Sequence, residues 1–224
     1  MYNIFLYIHI KKRAKKNRLL VPLSEIHKKL HKIISMHQIE KCKIIFLLWK
    51  AGFSKSIEAT AIFPYCIICS YEWAVQLIIG NEEDVINSFL ITLGHELAHK
   101  DGDYAFLCWD RKNKHYIHKK YRKFVNWVTE VHHDFAAAQK MADSSKEKLL
   151  ASIDFKIKLK PDSEDSLTHP SWQQRKAYAE MGAFYEYMLN DYRKELAARD
   201  IKVSRKDFNI DNFLTTLRQY WRMW

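Results

Sequence analysis

The stretch 81–99 reads as one capped helix whose last turn spells His95-Glu96-Leu97-Ala98-His99. Asn81 can accept hydrogen bonds from the free amides at the helix start, and Glu82, Glu83 and Asp84 complement the positive end of its dipole. Val85, Phe89, Leu93 and Leu97 recur at helical spacing, and Gly102 is placed to end the helix. Each helical residue advances about 100°, so His99 lies about 40° and Glu96 about 100° from His95. Two imidazoles and a carboxylate therefore share one quadrant, one turn apart. Core packing does not ask for that arc. The helix must face another element that supplies polar partners to it.

Two imidazoles at this spacing can chelate one metal ion, with Glu96 beside the ion and able to take a proton from bound water. A catalytic zinc wants three protein ligands and one open position. A third histidine six residues after His99 would serve, but that position is Ala105. A carboxylate from a later helix is the other solution, and 126–138 offers Glu130, with Asp134 one turn on. Glu130 can bind the ion, while Asp134 can accept the outer N–H of a bound histidine and fix its tautomer. His132 and His133 compete for the third position, His133 being three residues from Glu130. Glu130 is the favoured ligand, and a non-ligand role is the better reading of each of the two histidines.

Only 5 glycines and 4 prolines in 224 residues speak for long helices over a loop-rich β fold, and 48% hydrophobic residues for a packed core. Three short runs, 43–50, 56–63 and 65–70, read as strands. Residues 71–79 have helical character. Helices are expected over 23–36, 81–99, 121–142 and from Pro170 to about Arg199, the last with Trp172, Met181, Tyr185, Met188 and Tyr192 on one face. Residues 104–120 read as a loop or short helix, and 143–168 as a polar connector. The expected organisation is a basic N-terminal extension over 1–36, a main domain over 37–200 and an amphipathic, Trp-rich tail over 201–224. The apolar region 59–80 is interrupted by Pro64, Glu72 and Gln76, so it reads as strand then helix and not as a membrane span. A cytoplasmic location is expected. The net charge of +11 admits nucleic acid as a partner, but no base-reading motif supports it. Cys66 and Cys69 lack a second pair for a four-thiolate site and read as buried thiols. His27 and His31 read as surface residues.

A further piece makes a resemblance specific. Thr168-His169-Pro170 is followed by Arg175. With His95-Glu96-x-x-His99 and Glu130-x-x-x-Asp134, this resembles the gluzincin peptidase family that includes the CAAX prenyl proteases and HtpX-like heat-shock proteases, and their compact minigluzincin relatives. The resemblance covers roughly 43–198. It implies an α+β fold: a mainly helical zincin-like metalloprotease domain with a small antiparallel or mixed β-sheet beside the H-E-x-x-H helix. It implies a zinc endopeptidase acting on protein or peptide substrates, with Zn²⁺ on His95, His99 and Glu130, and Glu96 as general base. The edge strand 57–63, carrying Ile57, Ala59 and Ala61, would bind extended peptide. His169 would sit near the zinc as gate, transient ligand or oxyanion donor, and Arg175 would organise its helix; Tyr178 and Tyr185 are second candidates for the oxyanion donor. An Asp after the second histidine is part of the pattern, and Asp101 and Asp103 both fit. The alternatives are a zinc-stabilised binding protein without catalysis and a repressor-cleaving or DNA-associated protease.

Overall fold

The computed structural model describes residues 43–47, 59–62, 66–70, 73, 76–77, 83–113, 122–140, 146–181 and 184–201, together with Lys28. Three strands come first, β1 (Lys43–Leu47), β2 (Ala59–Ile62) and β3 (Cys66–Ser70). Five helices follow: α1 (Glu83–Asn113), α2 (Arg122–Lys140), α3 (Lys146–Leu159), α4 (Trp172–Met181) and α5 (Phe184–Ala198). The described chain is mainly helical, as expected. Its small sheet has the order β1-β3-β2, with β1 parallel and β2 antiparallel to β3. Ala59 and Ala61 lie on β2, at one edge of the described strands, while Ile57 lies outside the described residues. The 23–36 helix, the 1–36 extension and the 201–224 tail lie outside them too, apart from Lys28 and Ile201.

Four features differ from expectation. Gly102 does not end α1, which runs on to Asn113 and so takes in 104–113. One glycine costs a helix only about 1 kcal/mol, and nothing from 100 to 113 is a proline. The expected connector over 143–168 contains α3. Leu149, Ser152, Ile153 and Lys156 are its buried face, spaced at i, i+3, i+4 and i+7. Two of those four are polar, which hid the helical period. Pro170 precedes the helix it was expected to open. Ser171 is the cap, its Oγ accepting from Gln174 N at 3.2 Å, and α4 begins at Trp172. The expected single helix to about Arg199 is two helices, and Met181, expected on its buried face, is exposed.

Two apolar clusters hold the helices together. One joins α2, α4 and α5 through Phe124, Val128, Val131, Tyr178, Met188 and Tyr192. The other joins α1 to α4 through Ile91, Ala137, Leu149, Ile153 and Ala179. Between them α1 and α2 approach closely at Gly94. A Cβ there would stand 3.0 Å from Ala137 Cβ and 3.1 Å from its Cα. Backbone cannot yield as a flexible side chain can. Gly94→Leu is expected to destabilise the fold by about 1–3 kcal/mol, the usual cost of overpacking, and urea unfolding measures it. Because Gly94 adjoins His95, this contact also sets how near His95 comes to α2. No helix of the described residues is long and apolar enough to cross a membrane.

Candidate metal centre

The quadrant of α1 that carries His95 and Glu96 faces the polar stripe of α2. His95 and Glu96 are buried, and so are Glu130, His133 and Asp134 opposite them; His132 of α2 is buried as well. The two histidines of α1 bring their Nε2 atoms to 3.1 Å. Glu130 spans them, with Oε2 3.3 Å from His95 Nε2 and Oε1 3.4 Å from His99 Nε2. A nitrogen of His133 joins those of His95 and His99 in a set lying within 4.8 Å of one another. Glu130 Oε2 is buried and makes no hydrogen bond among the described residues.

The supporting groups lie one layer out. His95 Nδ1 donates to Asp134 Oδ1 at 2.9 Å. A carboxylate only accepts, so Nδ1 carries a proton, and in the neutral ring Nε2 presents its lone pair to the pocket. Arg175, from α4, clamps Asp134 with two bonds, Nε to Oδ2 at 2.7 Å and Nη2 to Oδ1 at 2.5 Å. Its Nη1 also lies 3.6 Å from Glu130 Oε2. The guanidinium stacks 4.3 Å from the Trp172 ring, and Lys156 Nζ lies 4.5 Å from that ring. The fold thus brings Arg175 to Asp134 from 41 residues away.

His169 stands at the rim, its side chain 58% exposed, with Nε2 3.5 Å from Glu130 Oε1. Its loop is fixed to α2 by Trp127, whose Nε1 donates to Ser166 O at 2.9 Å, and by Asn126 Nδ2, which donates to Leu167 O at 3.2 Å. Ser166 Oγ in turn accepts from His169 N at 2.8 Å. Tyr178 is a core residue whose hydroxyl donates to Asp191 at 3.2 Å, so it is engaged away from this site. The side chains of Tyr185, Asp101 and Asp103 lie outside the described residues, although Asp101 and Asp103 are helical. Lys156 was not foreseen. Its position, seven residues after Leu149 and three after Ile153, was the available signal.

Charge explains the pocket's preferences. Three buried carboxylates, Glu96, Glu130 and Asp134, face two buried cations, Lys156 and Arg175. One negative charge is left over. Burial disfavours a charged His95, but Asp134 and Glu130 outweigh it and raise its pKa. Burial would raise Glu130, yet His95, His99 and Arg175 hold it well below the usual carboxylate range. Burial alone pushes His132 down to about 3, and it is the largest cause holding His133 well below the ordinary histidine value, so both are neutral imidazoles.

Burial also lowers Lys156 to about 8 from 10.5, against the pull of Asp134, Glu96 and Glu130. Folded Lys156 therefore loses its proton before the unfolded chain does. Between pH 8 and 10.5 this lysine holds its proton more in the unfolded state, so its contribution to stability rises with pH. Lys156→Met is expected to flatten that rise, which at its full extent is on the order of 3 kcal/mol. Urea unfolding across this window measures it.

One family model matches, the TraG P-loop domain, over residues 167–223, about a quarter of the chain. No curated protein and no solved structure matches. The match overturns the expected gluzincin membership and, with it, the zinc endopeptidase activity. Its span contains Thr168-His169-Pro170 and Arg175, the segment that made the peptidase resemblance specific. The peptide-binding role of β2 and the general-base role of Glu96 in peptide hydrolysis depended on that activity and are withdrawn with it. The matched segment has one glycine, Gly182, and the chain nowhere contains Gly-x-x-x-x-Gly-Lys-Ser/Thr, the loop by which a P-loop domain cradles phosphate. Among the described residues the match falls on the His169 loop and on helices α4 and α5.

Proposed function

We propose that this chain is a metal-binding protein, with one divalent transition ion held between α1 and α2 by His95, His99 and Glu130. The observation that carries the reading is the donor spacing. An ion with tetrahedral bonds of about 2.0–2.1 Å puts its donors about 3.3 Å apart. The two Nε2 atoms are 3.1 Å apart, and Glu130 bridges them, its Oε2 3.3 Å from His95 Nε2 and its Oε1 3.4 Å from His99 Nε2. The surplus negative charge and the lone pair on His95 Nε2 favour a cation at the same point. Imidazole donors suit zinc and its neighbours over magnesium, which prefers oxygen and water. Zinc is the first choice. Asp134 and Arg175 orient His95. Glu96 adds charge to the pocket, and His169 covers the solvent side of Glu130. A zincin-like layout of the sheet and two helices serves here as the scaffold of the metal centre.

The family match favours a second reading, that residues 167–223 take part in nucleotide handling. The missing phosphate loop weighs against direct binding by this chain. One set of measurements separates the two. Purified protein is dialysed against zinc, and against ATP with Mg²⁺, in wild type and in the His95→Ala/His99→Ala double variant. About one zinc per chain, lost in the variant, is expected, with no ATP retained. ATP retained equally by both, with no zinc above the variant's level, would favour the second reading.

A further inference from the structure

We infer that His133 is a fourth protein ligand, so that the centre is closed by three imidazoles and one carboxylate. The inference rests on the metal-binding reading above and adds a ligand to it. His133 lies three residues after Glu130, so the two share a face of α2. Its side chain is fully buried, and its ring centroid is 4.2 Å from that of His99 and 5.6 Å from that of His95. The rings meet edge to face, at 73° and 87°. Three imidazoles thus converge from three directions with nitrogens within 4.8 Å of one another. A tetrahedral ion sets its donors about 3.3 Å apart, so binding would draw these nitrogens inward from their present spacing.

His132 provides the internal contrast. It is as buried as His133 and precedes it in sequence, but its ring lies 6.1 Å from that of His133 and is not one of the convergent three. Burial of a histidine on α2 therefore does not by itself bring it to the cluster. His169 is the other contender for the fourth position. It approaches from the exposed rim, and its Nδ1 lies 2.8 Å from Thr168 Oγ1.

With His133 bound, the ion has four protein ligands, two from α1 and two from α2. A closed shell of this kind is the arrangement of structural zinc sites, which bind solvent and small anions poorly. The centre then acts as a clasp between two helices.

X-ray absorption on the zinc-loaded wild-type protein counts imidazole ligands without any substitution. Three imidazoles are expected. Two would overturn the inference and leave the metal-binding reading standing, whereas no zinc bound would overturn both. A parallel measurement uses Co²⁺ as the probe and azide as a competing ligand. The wild-type cobalt spectrum is expected to be unmoved by azide. His133→Ala is expected to weaken Co²⁺ binding by at least the roughly 10–100-fold typical of losing an outer support, and to let azide shift the spectrum. His132→Ala should leave both as in wild type. An azide response in the wild type matching that of His133→Ala would overturn the inference, as would equal Co²⁺ affinity in the two proteins.

Discussion

Replacing Asp134 with alanine is expected to lower the unfolding free energy by about 3–5 kcal/mol, the usual cost of stranding one half of a buried ion pair. The effect is large because the pair is almost free of solvent, with side chains 5% exposed for Arg175 and 3% for Asp134. Removing the carboxylate leaves a buried guanidinium with no way to shed its charge, because arginine stays protonated in proteins. For a chain of this size each kcal/mol is about 2–4 °C in melting temperature, so a fall of roughly 6–20 °C follows. Arg175→Met combined with Asp134→Ala should cost less than the sum of the single changes, because the double variant strands no charge. Equal and additive losses would show that the two groups do not act as a pair. The same pair predicts acid sensitivity. Burial would raise the Asp134 pKa, but Arg175 and His95 hold it well below the ordinary carboxylate value. A depressed folded pKa gives stability that is present above the unfolded value and lost as pH falls through the folded one. Wild type should therefore destabilise steeply in acid, and the double variant less so.

What the sequence revealed follows from how local each signal is. The face of α1 could be read because His95, Glu96 and His99 lie within two turns and helical geometry fixes their directions. Glu130 and Asp134 could be read for the same reason, as one turn of α2. That the two faces meet is a tertiary fact, and it was reached by asking what chemistry the first face required. Lys156 could not be reached that way. Nothing in the metal argument asks for a lysine, and the polar Ser152 and Lys156 masked the buried face of α3. Gly102 failed as a stop because a lone glycine is a weak breaker. Arg175 was identified through Thr168-His169-Pro170, and the TraG P-loop match over 167–223 removes the family reading built on that segment. The bidentate clamp on Asp134 stands on its own geometry. His133 was set aside for Glu130, although a site between two helices has room for both, since residues three apart on α2 point the same way.

Loading with zinc is expected to raise the melting temperature by about 8–16 °C. A ligand that binds only the folded state, at a free concentration 1,000 times its dissociation constant, stabilises by about 4 kcal/mol, and the shift follows from the size of the chain. A chelator should reverse it, and Mg²⁺ should produce none, because the donor set is rich in imidazole. The two histidines of α1 should then separate in a way that simple loss of a ligand would not. His99 is the more open of the two, with a side chain 20% exposed against 8% for His95. His99→Ala should abolish the zinc-induced shift and leave the zinc-free melting temperature within a few degrees of wild type. His95→Ala should abolish the shift and also lower the zinc-free value by about 2–12 °C, because Asp134 loses a buried hydrogen-bond donor worth about 1–3 kcal/mol. A zinc-induced shift that survives both substitutions would place the ion elsewhere in the protein. A shift lost in both, with unequal zinc-free stabilities, is what a centre braced through His95 alone requires.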